Sequence, residues 1–102
     1  MNMMIDQIKL DAEGYLENMG DWTEEIAKVI AEEEGILELI PRHMEVIHAI
    51  QEEFKQSGSA PTLRKLSKVY GFPTKELYEL FPGGPGKKAA RIAGAKKPHG
   101  CI

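Results

Sequence analysis

One cysteine, Cys101, stands next to last in a chain of 102 residues, set among Lys96, Lys97, Pro98, His99, Gly100 and Ile102. A structural cysteine is usually buried with small hydrophobes, whereas this one lies beyond the last apolar pattern of the chain. An unperturbed thiol with a pKa near 8.5 is only about 3% thiolate at pH 7. Lys96, Lys97 and a protonated His99 favour the anion, while the terminal carboxylate on Ile102 opposes it, so the direction of the net shift is not set by these residues alone. An exposed thiolate can attack a persulfide on a donor, accept its outer sulfur and pass it on. A lone cysteine in this place can also be incidental, and spacing by itself leaves both readings open.

The other residues with chemical potential lead elsewhere. His43 and His48 sit five positions apart in a helical pattern, turned about 140° from one another, which a zinc pair at i and i+4 does not tolerate. Both are expected to be packing or surface residues. Gly83, Gly84 and Gly86 resemble a phosphate loop only superficially, because the Gly-Lys-Ser/Thr ending and the preceding strand are missing. No metal and no cofactor is expected. A single cysteine also excludes an internal disulfide framework and a cysteine-based zinc cage, and it fits a reducing compartment. Prenylation needs the cysteine fourth from the end. With no leading signal segment and no apolar run near eighteen residues, the expected location is the cytoplasm, away from membranes.

The segment holding Cys101 must be able to deliver it. Gly94 is a natural stop for the helical pattern before it, and Pro98 and Gly100 discourage regular structure afterwards. Residues 1–94 are therefore expected to form a single domain and residues 95–102 a mobile arm, which when extended spans at most roughly 25 to 30 Å. Charge separates the same two parts. Residues 84–102 carry Lys87, Lys88, Arg91, Lys96 and Lys97 and no acidic side chain, a formal +5, while the other eight basic and sixteen acidic residues leave −8. A short basic run is commonly only a solvated face. Beside the cysteine, Lys87, Lys88, Arg91 and Lys97 become candidates for steering the arm to an acidic or anion-binding surface on another protein.

Upstream, 42% hydrophobic residues allow one small core. Met3 to Ile5, Ile8 to Leu10 and Gly14 to Leu16 read as a small hairpin or three-stranded meander. Asp21 reads as a helix N-cap with Glu24 completing a capping box, and Trp22, Ile26, Val29 and Ile30 recur at helical spacing up to Glu34-Gly35. After a connector over Ile36 to Ile40, Pro41 suits the first turn of a helix whose Met44, Ile47, Ile50 and Phe54 share an apolar face. Thr62 caps a third helix with Leu63, Leu66, Val69 and Tyr70 inward. A turn over Gly71 to Thr74, with a cap at its end, leads to a fourth helix through Leu77 and Leu80. Pro85 opens the fifth. The fold class expected is mainly α (α+β), a compact orthogonal bundle of about five helices with a small N-terminal β element. The third and fourth helices invite a helix-turn-helix, DNA-binding reading. Lys75, Glu76 and Glu79 give the would-be recognition helix a net negative charge, which opposes phosphate binding, so direct nucleic-acid contact is not expected.

Leu80-Phe81-Pro82-x-Gly84-Pro85-x-Lys87, Ala89-x-Arg91-Ile92-Ala93-Gly94 and Lys97-Pro98-x-Gly100-Cys101-Ile102 together resemble the DsrC/TusE family of sulfur-relay proteins, which includes the gamma subunit of dissimilatory sulfite reductase. Asp11-x-Glu13-Gly14-Tyr15-Leu16, Trp22, Ala31-Glu32-x-Glu34-Gly35-Ile36 and His43-x-Glu45-Val46-Ile47 extend the resemblance over essentially the whole chain. It implies a helical bundle with a flexible arm whose Cys101 carries persulfide sulfur, a sulfurtransferase-type carrier and not a stand-alone catalyst. The implied partners are a TusBCD-like donor and, as acceptor, a tRNA thiolase making 2-thiouridine or a sulfite-reductase-like enzyme, met by a monomer. The alternatives are an accessory gamma-like subunit of such a reductase or a helix-turn-helix-like regulator. Members of the sulfite-reductase pathway carry a second cysteine where Ala90 stands here, and one thiol cannot form their internal disulfide. Met44 and Ala95 also depart from the residues more usual in the family.

Overall fold

A computed structural model describes residues 5–97. Five α-helices make up the described body: α1 (Glu24–Glu33), α2 (Pro41–Ser57), α3 (Leu63–Lys68), α4 (Thr74–Leu80) and α5 (Pro85–Ile92). The mainly helical bundle expected from apolar spacing is present. Ile26, Ile30, Val46, Ile47, Ile50, Leu66, Leu77, Phe81 and Ile92 are all buried in one core. Each such side chain stabilises the fold by roughly 1.5 to 3 kcal/mol relative to an exposed position, which is the main reason these short helices hold together.

The N-terminal β element is reduced to a single antiparallel bridge between Leu10 and Leu16. Ile5–Gln7 forms a 3-10 turn where a strand was expected, and Met3 and Met4 lie outside the described residues. The Asp11 carboxylate accepts the backbone N–H groups of Glu13 and Tyr15, at 2.9 and 3.0 Å, and so holds the chain in a tight turn. Across the same turn Asp11 N–H bonds the Tyr15 carbonyl at 2.7 Å and Glu17 N–H the Lys9 carbonyl at 3.0 Å, flanking the bridge.

The start of α1 also differs from the expected capping box. Met19–Asp21 is itself a 3-10 turn capped by the Asn18 side chain, and Thr23 caps α1 by accepting the Ile26 N–H at 3.2 Å. Trp22 therefore lies in extended backbone ahead of the helix instead of within it. Thr62 caps α3 as expected, accepting from Lys65 N–H, whereas Pro73 occupies the N-cap of α4 without a side-chain bond and Thr74 is already helical. Val69, expected inward, is 66% exposed. The helix stops at Lys68, and Tyr70 instead turns its hydroxyl to the buried Glu53 on α2, donating at 2.9 Å.

His43 is a packing residue. Its Nδ1 accepts the Ile40 N–H at 3.1 Å, so Nε2 carries the proton and donates to the Leu80 carbonyl at 2.8 Å. Its ring meets Phe81 edge-on at 5.1 Å, joining α2 to the segment that leads into α5. His48 is exposed. Among the described residues no group of three His, Cys, Asp or Glu side chains is placed to hold a metal, and no helix is long and apolar enough to cross a membrane.

Candidate functional site

Cys101, His99 and the rest of 98–102 lie outside the described residues, so the site is described from the root of the arm. That root is α5. Pro85 at its first position pre-sets the helical backbone, and Gly86, Ala89 and Ala90 turn a small-residue face inward, buried together with Pro85 and Ile92. Small side chains allow α5 to pack closely against both α1 and α2. Ala90 is 1% exposed.

After Ile92 the chain reverses in a Schellman arrangement. Ala95 N–H bonds the Ala90 carbonyl at 3.0 Å and Gly94 N–H bonds the Arg91 carbonyl at 3.2 Å. Gly94 has φ +79°, and a Cβ there would lie 2.8 Å from Trp22 Cδ1 and 3.2 Å from Leu16 Cδ2. Only glycine fits, for conformation and for space at once. Trp22 Nε1 donates to the Ile92 carbonyl at 2.8 Å and Gln51 Nε2 to the Ala93 carbonyl at 3.0 Å. These two side chains, from the loop before α1 and from α2, satisfy carbonyls that the helix end leaves open. Neither stood out as a functional residue in the sequence, because their partners are about 70 and 42 positions away.

The first residues assigned to the arm still lie on the body. Ala95 is fully buried. Lys96 Nζ donates to the carbonyls of Leu16 and Glu17 at 3.1 and 3.0 Å, and Lys97 Nζ reaches the Glu13 carboxylate at 3.0 Å. The described chain is thus led along the N-terminal turn up to its last residue.

The four candidate steering residues stand in different environments. Arg91 is only 14% exposed at its side chain and is bound inside the fold: Nε donates to the Gly14 carbonyl at 2.7 Å, Nη1 to Glu34 at 2.7 Å, and Nη2 to Glu33. The two carboxylates outweigh its partial burial and hold the guanidinium pKa above its ordinary value. Lys88 is half-buried, 3.4 Å from the Glu34 carbonyl and 3.9 Å from its carboxylate. Lys97 is in a surface pair with Glu13, an interaction of roughly 0 to 1 kcal/mol that exchanges readily with solvent or a partner. Lys87 is exposed. Much of the opposite charge of body and tail is therefore satisfied within the molecule, with Glu33 and Glu34 at the end of α1 as the receiving groups.

The α3 and α4 pair packs as part of the bundle. Arg42 on α2 forms a two-pronged pair with Glu76 on α4 at 2.9 Å, and its guanidinium stacks 4.8 Å from the centre of the Phe72 ring.

Comparison with known proteins agrees along the whole chain. The family described as DsrC like protein matches residues 2–102. The gamma subunit of dissimilatory-type sulfite reductase from Nitratidesulfovibrio vulgaris is 45% identical over 94 residues, covering 92% of this chain and 90% of that protein. Sulfurtransferase TusE from Photorhabdus laumondii is 44% identical over 103 residues, covering 94% and 92%. A chain in the crystal structure of dissimilatory sulfite reductase I superposes with a TM-score of 0.82 at 43% identity, covering 93% of this chain and 91% of that one. With its helices, the anchored root of α5 and the closing Lys97-Pro98-x-Gly100-Cys101-Ile102 run all accounted for, the chain belongs to the DsrC-like protein family.

Proposed function

We propose that this protein is a sulfur carrier, with Cys101 as the atom-bearing residue. Its thiolate attacks the outer sulfur of a donor persulfide. A new S–S bond forms at Cys101 Sγ, the donor S–S bond breaks, and the donor leaves as a thiolate, so the exchange needs no external oxidant or reductant. The reverse sequence at an acceptor releases the sulfur. The observation that carries this reading is the 44% identity, over nearly the full length of both chains, to a protein named sulfurtransferase TusE. The lone Cys101 in the sequence supports it.

The single thiol further favours relay over an internal disulfide cycle, because buried Ala90 takes the place where two-cysteine relatives carry the second sulfur. Lys87 and Lys97, with Lys88 behind them, supply the positive face met by donor and acceptor proteins of the relay. Arg91 contributes to that face chiefly by fixing α5 on α1. Donors of the TusBCD type, a tRNA thiolase as acceptor, a monomeric carrier and a cytoplasmic setting complete the proposal. Incubating the protein with a persulfide donor and weighing it intact is expected to show a species one sulfur atom heavier. Cys101→Ser is expected to abolish that species, and an unmodified wild-type protein would overturn the reading.

A second reading is favoured by the sulfite reductase gamma relative and the reductase structure. In it the protein is an accessory subunit bound to a sulfite-reductase-like enzyme. Co-purification with such an enzyme that survives Cys101→Ser would favour this reading over a relay that depends on the thiol.

A further inference from the structure

Lys96 holds the chain on the body after the last helix has ended. Its Nζ donates to the carbonyls of Leu16 and Glu17 at 3.1 and 3.0 Å and lies 3.8 Å from the Asp11 carboxylate. An ammonium has three N–H donors, and three acceptors from one turn gather around this one. The turn is itself closed by backbone bonds, from Asp11 N–H to Tyr15 at 2.7 Å and from Glu17 N–H to Lys9 at 3.0 Å, so the acceptors are placed in advance. Among the described residues beyond Gly94, no other side chain bonds the backbone of the body. Lys97 has its surface pair with Glu13, which exchanges readily.

The backbone from Ile92 to Lys96 is fixed one residue after another. Trp22 takes the Ile92 carbonyl and Gln51 the Ala93 carbonyl. Ala95, fully buried, returns its N–H to Ala90, and Lys96 completes the series. The chain therefore leaves the body beside the Asp11–Glu17 turn, two residues later than the helix stop at Gly94. Cys101 is five residues beyond Lys96 and seven beyond Gly94. Fully extended, those spans are at most about 18 and 25 Å. The described body measures 37 × 26 × 20 Å. A tether started at Gly94 would nearly match its middle dimension, whereas one started at Lys96 falls well short of it.

We propose that Lys96 is a positioning residue for Cys101. By starting the tether at the Asp11–Glu17 turn, it assigns sulfur exchange to the side of the body that carries this turn. Its use in transfer rests on the sulfur-carrier reading above, while the anchoring rests on the bonds of Lys96. Glu13 of the turn lines the same groove as Lys87, so the exposed lysine and the thiol face one partner surface. A donor or acceptor protein must then present its reactive sulfur to that side.

The test uses the full chain with a nitroxide on Cys101, its only thiol, and reads paramagnetic relaxation of the backbone amides against the reduced, diamagnetic label. Enhancement concentrated on residues 9–17 and on Lys87 and Lys88 is expected, falling off over the rest of the body. Lys96→Met keeps the stem and removes the donors. Lengthening the free tether from five to seven residues dilutes the label near the turn by about 1.7-fold, as the −3/2 power of length, before any loss of direction. Enhancement at residues 9–17 is therefore expected to fall about twofold, with amide shifts away from the turn unchanged in the unlabelled variant. Lys96→Arg, which keeps charge and donors, should retain most of the enhancement, and Lys97→Gln should alter it less than Lys96→Met does. The label occupies the thiol, so the pattern does not depend on whether Cys101 carries sulfur: a localised pattern without persulfide loading would reject the carrier and keep the anchor. Enhancement spread evenly over the exposed amides, or left unchanged by Lys96→Met, would reject the anchor whatever the loading shows.

Discussion

Gly94 shows how much one residue decides at the root of the arm. Its left-handed backbone disfavours any Cβ, and the 2.8 Å approach to Trp22 adds a steric conflict with a ring that is itself hydrogen-bonded to Ile92. Gly94→Ala is expected to cost about 2 to 4 kcal/mol. Gly58, the αL cap of α2, has φ +77° with nothing within 4 Å of the added atom, so Gly58→Ala should cost only about 1 kcal/mol. Thermal unfolding of both variants checks the contrast, with roughly 4 to 8 °C expected per kcal/mol in a domain of this size. Trp22→Phe keeps most of the packing and loses only the Nε1–H donor, for an expected loss of about 1 kcal/mol.

At the level of elements, two polar clusters hold helices that the core alone would leave adjustable. Arg91 ties α5 to the end of α1 and to the Asp11–Tyr15 turn. Arg91→Met keeps the stem but leaves Glu34 and the Gly14 carbonyl without their donor, with an expected loss of about 2 to 3 kcal/mol by urea denaturation. On the other side, Glu53 of α2 accepts from Lys65 Nζ of α3 at 2.6 Å and from Tyr70 at 2.9 Å. The Lys65 bond first, and the Tyr70 bond second, hold the Glu53 carboxyl below its ordinary pKa. Its folded value thus lies under its unfolded value of about 4.3. The contribution is complete above that value and disappears as pH falls through the folded one. Stability measured by urea unfolding should decline from about pH 5 downward, and Glu53→Gln should flatten that decline while lowering stability at neutral pH. Glu76, held low by Arg42, and Asp11, held low by the Tyr15 N–H, act in the same direction.

Over the whole molecule, net charge is a poor guide to where partners meet it. The formal −3 conceals a basic segment laid against an acidic body, and the ion pairs of Arg91, Lys88 and Lys97 consume part of the contrast. Among the described cations of this basic segment, Lys87 is exposed and has no ion pair. Association with a relay partner is therefore expected to be steered chiefly by Lys87 and by Lys97 once it exchanges Glu13. Lys87→Glu should slow association severalfold, and the difference from wild type should shrink between about 50 and 300 mM salt. Association rates at the two ionic strengths give the measurement.

Local chemistry determined a large part of this protein from sequence alone. Apolar residues at helical spacing, Pro41 and Pro85 at first turns, Thr62 as a cap and Gly94 as a stop each act within a few positions, so five helices and a mainly α class follow from periodicity and capping. The identity of Cys101 as the only thiol, and its place after Pro98 and Gly100, are likewise facts of sequence. Other features depend on which distant groups the chain brings together. The first expected β segment includes a 3-10 turn at Ile5–Gln7, and Trp22 stands ahead of the helix that Thr23 caps, with its indole donor on the Ile92 carbonyl across the fold. Arg91 looked like one more exposed cation until α1 delivered Glu33 and Glu34 to it. Hydrogen bonds and ion pairs are short-ranged and directional, so a residue's propensity can announce them, but only the folded neighbourhood decides who answers.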